Sequence, residues 1–105
     1  MTILVEIGVE GTFSDFCSKY DLNIVVTTAL FKDDKVKVMA MFRENVEIVK
    51  DEMLIGIAGY GGTIDEAIYE LKNKMQDNII SIPTYPIKGS TRVKTPVKWK
   101  PEEWE

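Results

Sequence analysis

The chain has no histidine and a single cysteine, and this limits the chemistry that its side chains can perform. The absence of histidine removes the commonest general base, the serine and cysteine triads, and most zinc sites. Cys17 lies at helical spacing from Phe13 and Phe16, which favours a packed core thiol over a nucleophile. These residues predict no catalytic site, no cofactor and a protein that is not an enzyme.

Two acidic pairs and a glycine-rich stretch are the remaining candidates for ligand sites. Asp33-Asp34 and Asp51-Glu52 lie in predicted turns without the ligand spacing of a calcium loop, so they are interpreted as solvated carboxylates and no metal is expected. The glycines of 59–62 precede a predicted helix, where backbone N–H groups can cradle phosphate. No lysine follows them, and Asp65 and Glu66 would repel an anion. This stretch therefore predicts a structural turn rather than a phosphate site.

A strand of alternating character is the first candidate for a binding surface. Along residues 35–43, valine, alanine and phenylalanine alternate with basic residues and methionines. The first set predicts a core face and the second an outer face. Methionine adapts to irregular partners, although cover by a helix or a sheet partner also accounts for it. The candidate partner-binding residues on this face are Lys35, Lys37, Met39, Met41 and Arg43.

The C-terminal segment is the second candidate. Four prolines fall between residues 83 and 101, which excludes a long helix. Residues 88–100 contain five basic side chains and no acidic one. Such a segment suits a protein interface, a nucleic-acid strand, or packing against the acidic domain itself. The candidate partner-binding residues here are Tyr85, Arg92, Lys94, Lys98, Trp99 and Trp104.

The elements that must position these residues form a small α+β domain. Residues 53–58 predict a strand that is covered on both faces, and Thr63 with Glu66 forms a capping box that begins a helix. The apolar stripe of that helix is Ile64, Ala67, Ile68, Leu71 and Met75. The predicted order is β-α-β-β-β-α-β, with two helices on one face of an antiparallel sheet of three to five strands. Residues 1–82 form the domain, and residues 83–105 form an extended tail.

The length, the net charge and the cysteine content limit the kinds of protein that this chain can be. The 105 residues suit one domain, and the net charge of −4 gives no global attraction to nucleic acid or to an anionic membrane. The lone cysteine excludes an internal disulfide and fits a reducing compartment. We find no apolar run of transmembrane length and no signal peptide, so a cytoplasmic protein with no membrane partner is expected.

Three resemblances are visible in these patterns. The order helix, three strands, helix over residues 12–76 resembles the double-stranded-RNA-binding domain, although that family has basic residues where this chain has Asp65 and Glu66. The run GGTIDEA of residues 61–67 is similar to the G-x-T-x-x-E-A of HicB-type antitoxins, which block a toxin. Phe16-Cys17 and Leu22, together with this helix start, resemble small tailed-phage accessory proteins.

The residues and the resemblances lead to one functional expectation. The protein is predicted to be a non-enzymatic adaptor or inhibitor, encoded by a phage or mobile element, that docks on a protein partner. It is expected to need no cofactor, and paired sheet edges or the methionine face offer a route to a homo-oligomer. The alternative is a nucleic-acid-binding module that uses the basic strand face and the tail.

Overall fold

The computed structural model describes residues 5–7, 11–32, 35–83 and 89–102. These residues contain two helices and eight strands, so the predicted α+β class is confirmed, but the strand count exceeds the predicted three to five. The helices are α1 (Phe13–Lys19) and α2 (Ile64–Met75). The strands are β1 (Val5–Ile7), β2 (Ile24–Leu30), β3 (Val36–Phe42), β4 (Glu47–Lys50), β5 (Met53–Gly56), β6 (Gly59–Gly61), β7 (Ile79–Pro83) and β8 (Ser90–Lys94).

The strands form two sheets rather than the one that was predicted. One sheet has the order β1-β8-β7-β4-β5, and the other has the order β2-β3-β6. β1 pairs with β8 in parallel, and every other pair is antiparallel. The second sheet arises because one long hairpin is divided between the two sheets. Its arms are β3 with β4 and β5 with β6, and its turn is Asp51-Glu52 at φ 50° and 66°.

Both helices begin where the sequence predicts. The Asp15 N–H donates to the Thr12 hydroxyl (3.1 Å), and the Glu66 N–H donates to the Thr63 hydroxyl (3.2 Å). The Glu66 carboxylate, however, accepts from the Gly62 N–H (2.9 Å) and does not close the predicted reciprocal bond to Thr63. A threonine hydroxyl therefore caps the start of each helix. In α2 the glutamate that completes the cap binds the N–H of Gly62, the residue before the threonine.

The core joins both helices to both sheets. Ala67, Leu71 and Met75 of α2 are fully buried, whereas Ile64, at the start of the predicted stripe, is exposed. Phe13 of α1 lies 6.2 Å from the ring of Phe42 on β3. Both helices thus pack on the side of the three-stranded sheet that carries the even-numbered residues of β3, as the alternation in that strand predicted.

Two predicted elements are placed differently from expectation. β5 is an exposed edge strand rather than a strand covered on both faces, and only β4 pairs with it. The glycines before α2 form β6 rather than a turn, and none of them has a positive φ. A Cβ atom at Gly59 would overlap the main chain of Ala67 and Leu71, and one at Gly61 would lie 2.5 Å from Glu66 Cβ. These glycines are required because the helix lies directly against the strand.

The segment predicted as a tail contributes to the folded domain. The predicted boundary between residues 82 and 83 falls within β7, and β8 lies between β7 and β1 in the sheet. Trp99 is 5% exposed, packs edge-on against Phe13 and Phe16, and donates its indole N–H to the Lys72 carbonyl (2.8 Å). Apolar burial of this ring therefore holds the segment in place.

Candidate functional site

The hydrogen-bond pattern of the three-stranded sheet shows which backbone groups of β2 point out of the sheet. The Phe31 N–H donates to the Lys35 carbonyl, and the Arg43 N–H donates to the Asn23 carbonyl. In an antiparallel pair, bonded and non-bonded residue pairs alternate. The odd-numbered residues of β2 therefore bond to β3, and the N–H and C=O groups of its even-numbered residues point away from β3. These residues are Ile24, Val26, Thr28 and Leu30.

The opposite edge of the same sheet, at β6, is covered by side chains of α2. The Tyr60 N–H donates to Glu70 (3.2 Å) and the Gly62 N–H donates to Glu66 (2.9 Å), while the Lys74 ammonium donates to the Ala58 carbonyl (2.7 Å). Two residues of a strand span about 6.6 Å, and four residues of a helix rise about 6 Å. A row of α2 side chains at i, i+4 and i+8 therefore matches alternate residues of the strand edge.

We call Glu66, Glu70 and Lys74 the β6 cap, and two of these side chains carry opposite charges that attract each other. Lys74 forms an ion pair with Glu70 at 2.9 Å. The hydrogen bond from Lys74, together with that from the Tyr60 N–H, lowers the pKa of the Glu70 carboxyl below its ordinary value, so it stays ionised as an acceptor at neutral pH.

The β2 edge has no equivalent cover. Among the described residues, no side chain or backbone group bonds to the outward N–H and C=O groups of Val26 and Thr28. The seven residues of β2 include no charge, proline or glycine, which are the features that proteins use to protect a free edge. β5 is also a free edge, but its four residues offer only Leu54 and Gly56 as outward-facing positions. Among the described residues β2 is therefore the longest strand with an open edge, because the outer strands β1 and β5 of the other sheet have only three and four residues.

An apolar surface lies beside the open edge on the helix side of the sheet. Helix α2 packs mainly against β6 and β3, and β2 is half-buried only at Ile24 on this side of the sheet. Val26 is 38% exposed, Leu30 is 71% exposed, and Val36, opposite Leu30 on β3, is 65% exposed. These three side chains share one face because they occupy even positions of paired strands. They form the inner row.

The other face of the sheet carries the basic strand residues predicted from the alternation. Lys35, Lys37 and Arg43 are exposed, while Met39 and Met41 are half-buried. The rings of Phe31 and Tyr60 are 5.3 Å apart. These two rings stand on opposite sides of β3, so their contact crosses its outer face. We call Lys35, Lys37, Met39, Met41 and Arg43 the basic face.

Two lysine side chains, Lys37 of the basic face and Lys74 of α2, lie against aromatic rings of the sheet. The Lys37 ammonium lies 4.9 Å from the centre of the Phe31 ring, and the Lys74 ammonium lies 5.4 Å from the centre of the Tyr60 ring. Such cation–π contacts contribute about 0.5–1 kcal/mol at exposed sites. They keep two cations against the sheet while leaving the charges in contact with solvent.

The structure does not bring the candidates of the C-terminal segment onto the basic face. Trp99 is in the core, and Lys94 pairs with Asp77 at 2.6 Å. Arg92 is half-buried on β8, in the five-stranded sheet, and Lys98 is exposed beyond it. Tyr85 and Trp104 lie outside the described residues. The predicted set is thus divided between two separate parts of the molecule.

The Cys17 thiol and the Glu102 carboxylate have structural surroundings rather than those of a reactive site. Burial raises the pKa of the Cys17 thiol to about 12, with Glu102 and Glu44 adding to the effect, so the thiol is a poor nucleophile at neutral pH. The buried Glu102 carboxylate accepts from the backbone and hydroxyl of Ser14, both at 3.0 Å, and closes the first turn of α1. Within the described part of the chain, no three Cys, Asp or Glu side chains converge as metal ligands.

An open depression of about 1070 Å³ borders α2. Ile68 and Lys72 on one side of the helix and Glu70 and Lys74 on the other all line it. A space that extends around a helix is a surface depression rather than an enclosed ligand pocket. Neither described helix is long and apolar enough to cross a membrane.

The open β2 edge is the feature that sequence reasoning missed. The uncharged run from Ile24 to Leu30 was a signal, because edge strands usually carry a charge or a proline. Comparison with protein-family models, with characterised proteins and with solved structures found no match to this chain, so the site is interpreted from its own geometry.

Proposed function

We propose that this protein is a non-enzymatic binding protein, an adaptor or inhibitor, that docks on a protein partner by accepting a strand of that partner at the β2 edge. The observation that carries the proposal is the contrast between the two edges of one sheet. Side chains of α2 bind the Tyr60 N–H, the Gly62 N–H and the Ala58 carbonyl at the β6 edge, whereas no described residue bonds to the outward groups of Val26 and Thr28. An added strand supplies the backbone bonds that an edge lacks, which is a common mode of peptide recognition.

The energetics favour a protein strand at this position. Each intramolecular hydrogen bond gained in place of water contributes about 0.5–1.5 kcal/mol, and four residues of β2 present outward groups. The inner row adds apolar area that a partner can remove from water, at about 25 cal/mol per Å². Backbone bonds supply affinity that does not depend on sequence, and the side chains on either face supply the selection.

The test is a selection of displayed protein fragments from the genome that encodes this chain. Thr28→Pro removes an outward N–H without removing a β2–β3 bond, and Leu54→Pro removes an outward N–H at the β5 edge of the five-stranded sheet. We expect sequenced fragments that bind the wild type and Leu54→Pro but not Thr28→Pro. Fragments that bind Thr28→Pro equally well would place docking elsewhere, and a selection that enriches none would contradict the proposal.

Single-stranded nucleic acid is the second candidate, and the basic face favours it. Phe31 and Tyr60 stand beside Lys37 and Lys74 on a sheet surface, and bases stack on exposed aromatic rings. The edge-on contact of the two rings uses part of that surface, and the net charge of −4 opposes a polyanion. A salt titration of oligonucleotide binding decides, because phosphate contacts weaken steeply as salt rises. Tight binding that weakens in this way, and is lost in Lys37→Glu, would favour nucleic acid over protein.

A further inference from the structure

We infer that the segment accepted at the β2 edge alternates apolar and acidic residues, with its apolar side chains on the inner row and its carboxylates beside the basic face. This inference rests on the proposed function and names the chemistry of the partner. It follows from the different character of the two faces that flank the same strand.

The first step is the register of an added strand. Its residues bond to the outward groups of Ile24, Val26, Thr28 and Leu30, so the partner residues opposite these four share their face of the sheet. On that face the added strand meets Val26 and Leu30, with the exposed Val36 one strand further in. Apolar partner side chains at these positions are removed from water together with the inner row.

The second step is the opposite face. The intervening partner residues lie opposite Val25, Thr27 and Ala29, whose neighbours on β3 are Met41, Met39 and Lys37. An added strand stands two strand spacings from β3, or about 9.6 Å. The small Ala29 lies between, so the long side chain of Lys37 can reach across it to a carboxylate. Arg43 extends the positive charge at one end of β3.

The third step is the choice among occupants. A second copy of this chain paired through β2 would place Val25, Thr27 and Ala29 on the outer face and would bring a second set of cations, with no carboxylate on its β2 or β3 to oppose the first. A basic strand would add like charge. An acidic segment is the occupant whose charge complements the basic face, and such complementarity governs specificity and association rate.

The experiment uses labelled ten-residue peptides and the full-length protein, with binding measured by fluorescence anisotropy at low and high salt. One peptide alternates valine with glutamate, a second alternates valine with lysine, and a third places the five valines and five glutamates in two blocks. We expect the alternating acidic peptide to bind at least tenfold more tightly than either of the others. Its affinity should fall severalfold at high salt and be lost in Thr28→Pro but not in Leu54→Pro.

Charge reversal provides the matched test. The double variant Lys37→Glu with Arg43→Glu changes exposed side chains, so it should fold normally and should reverse the preference toward the lysine peptide. Equal affinity for the acidic and basic peptides would overturn the inference, as would equal affinity for the alternating and block peptides. A dimer in sedimentation that Thr28→Pro dissociates and the acidic peptide does not would identify a second copy as the occupant instead.

These outcomes separate the two proposals. If a selected genomic fragment requires the β2 edge but the peptide series shows no acidic preference, the partner chemistry is wrong and the docking function stands. If the peptides show the preference but no fragment requires the edge, the surface chemistry stands and the proposed function fails.

Discussion

The two edges of the three-stranded sheet differ in a way that their backbones alone do not explain. β6 and β2 flank the same strand, and each presents alternate N–H and C=O groups to the outside. At β6, three side chains of α2 meet those groups, and at β2 none of the described residues does. Three backbone groups are thus bound by side chains at one edge, and the other edge keeps the unpaired groups that a further strand can join.

The position of α2 explains the difference. The helix lies against β6 because Gly59 and Gly61 have no Cβ to hold it away, so its side chains reach around the edge. Its main contacts on that side are with β6 and β3, and Val26 and Leu30 of β2 remain exposed. The close contact that covers one edge thereby leaves the other open.

The largest expected effect comes from separating α2 from β6. Gly59→Val places side-chain atoms inside the main chain of Ala67 and Leu71, and we expect it to lower the free energy of unfolding by about 3 kcal/mol. Gly56→Val is the matched control, because a Cβ atom there meets nothing within 4 Å. Urea denaturation of both variants measures the difference. Equal stability of the two variants would show that the helix does not lie against β6.

The next effect tests the alternation of outward and inward groups along β2. Thr27→Pro removes an N–H that faces Met39, and we expect a loss of about 2 kcal/mol from the missing ladder bond and the strain around it. Thr28→Pro removes an N–H that faces solvent, and it should cost less than half as much. Thermal unfolding of the pair measures this. A reversed order would place the open groups at the odd positions.

A smaller effect tests the side-chain cap of β6. Glu70→Ala removes the acceptor of the Tyr60 N–H and the ion pair with Lys74. Both side chains of this ion pair are partly exposed, so we expect the free energy of unfolding to fall by only about 0.5–1 kcal/mol. Glu70→Gln retains an acceptor and should recover part of that loss. Chemical denaturation at low and high salt separates the ion pair from the hydrogen bond. Identical stability of the two variants would mean that the hydrogen bond contributes nothing.

The smallest effect is the pH dependence of the same cap. The pKa of Glu70 is lowered in the folded protein, so its contribution is present above the unfolded pKa of about 4.3 and is lost as pH falls through the folded value. Between about pH 5 and pH 3 the wild type should therefore lose stability more steeply than Glu70→Gln. Urea unfolding at several pH values measures how the free energy of unfolding changes with pH in both proteins. The same slope in both would show that the Glu70 carboxylate does not stabilise the β6 edge.

Sequence reasoning located the local features and missed the arrangement of strands. The caps at Thr12 and Thr63 and the two faces of β3 follow from residue types at fixed spacing, so they could be predicted. The residues of β5 are apolar on both faces, and this pattern predicts a strand that is covered on both faces. An apolar strand has the same sequence pattern whether a neighbour covers it or not, and its edge position depends on pairing with β4 alone.

In the candidate site, too, some features could be predicted from the sequence and others depend on the tertiary structure. Alternation correctly assigned Lys35, Lys37 and Arg43 to an exposed face. Composition indicated Trp99 as a further binding residue, because a tryptophan in a basic segment resembles an interface residue. Its burial against Phe13, more than 80 positions earlier in the chain, depends on a contact that composition does not specify.

Residue order was sufficient for the helix starts, the strand alternation and the charge on the basic face, because these depend on neighbours within about four positions. Which strand edge is covered and which is open was decided only in three dimensions. Glu66, Glu70 and Lys74 reach Gly62, Tyr60 and Ala58 because a helix lies against two glycines. The identical backbone groups of β2 stay open because no described element lies beside them.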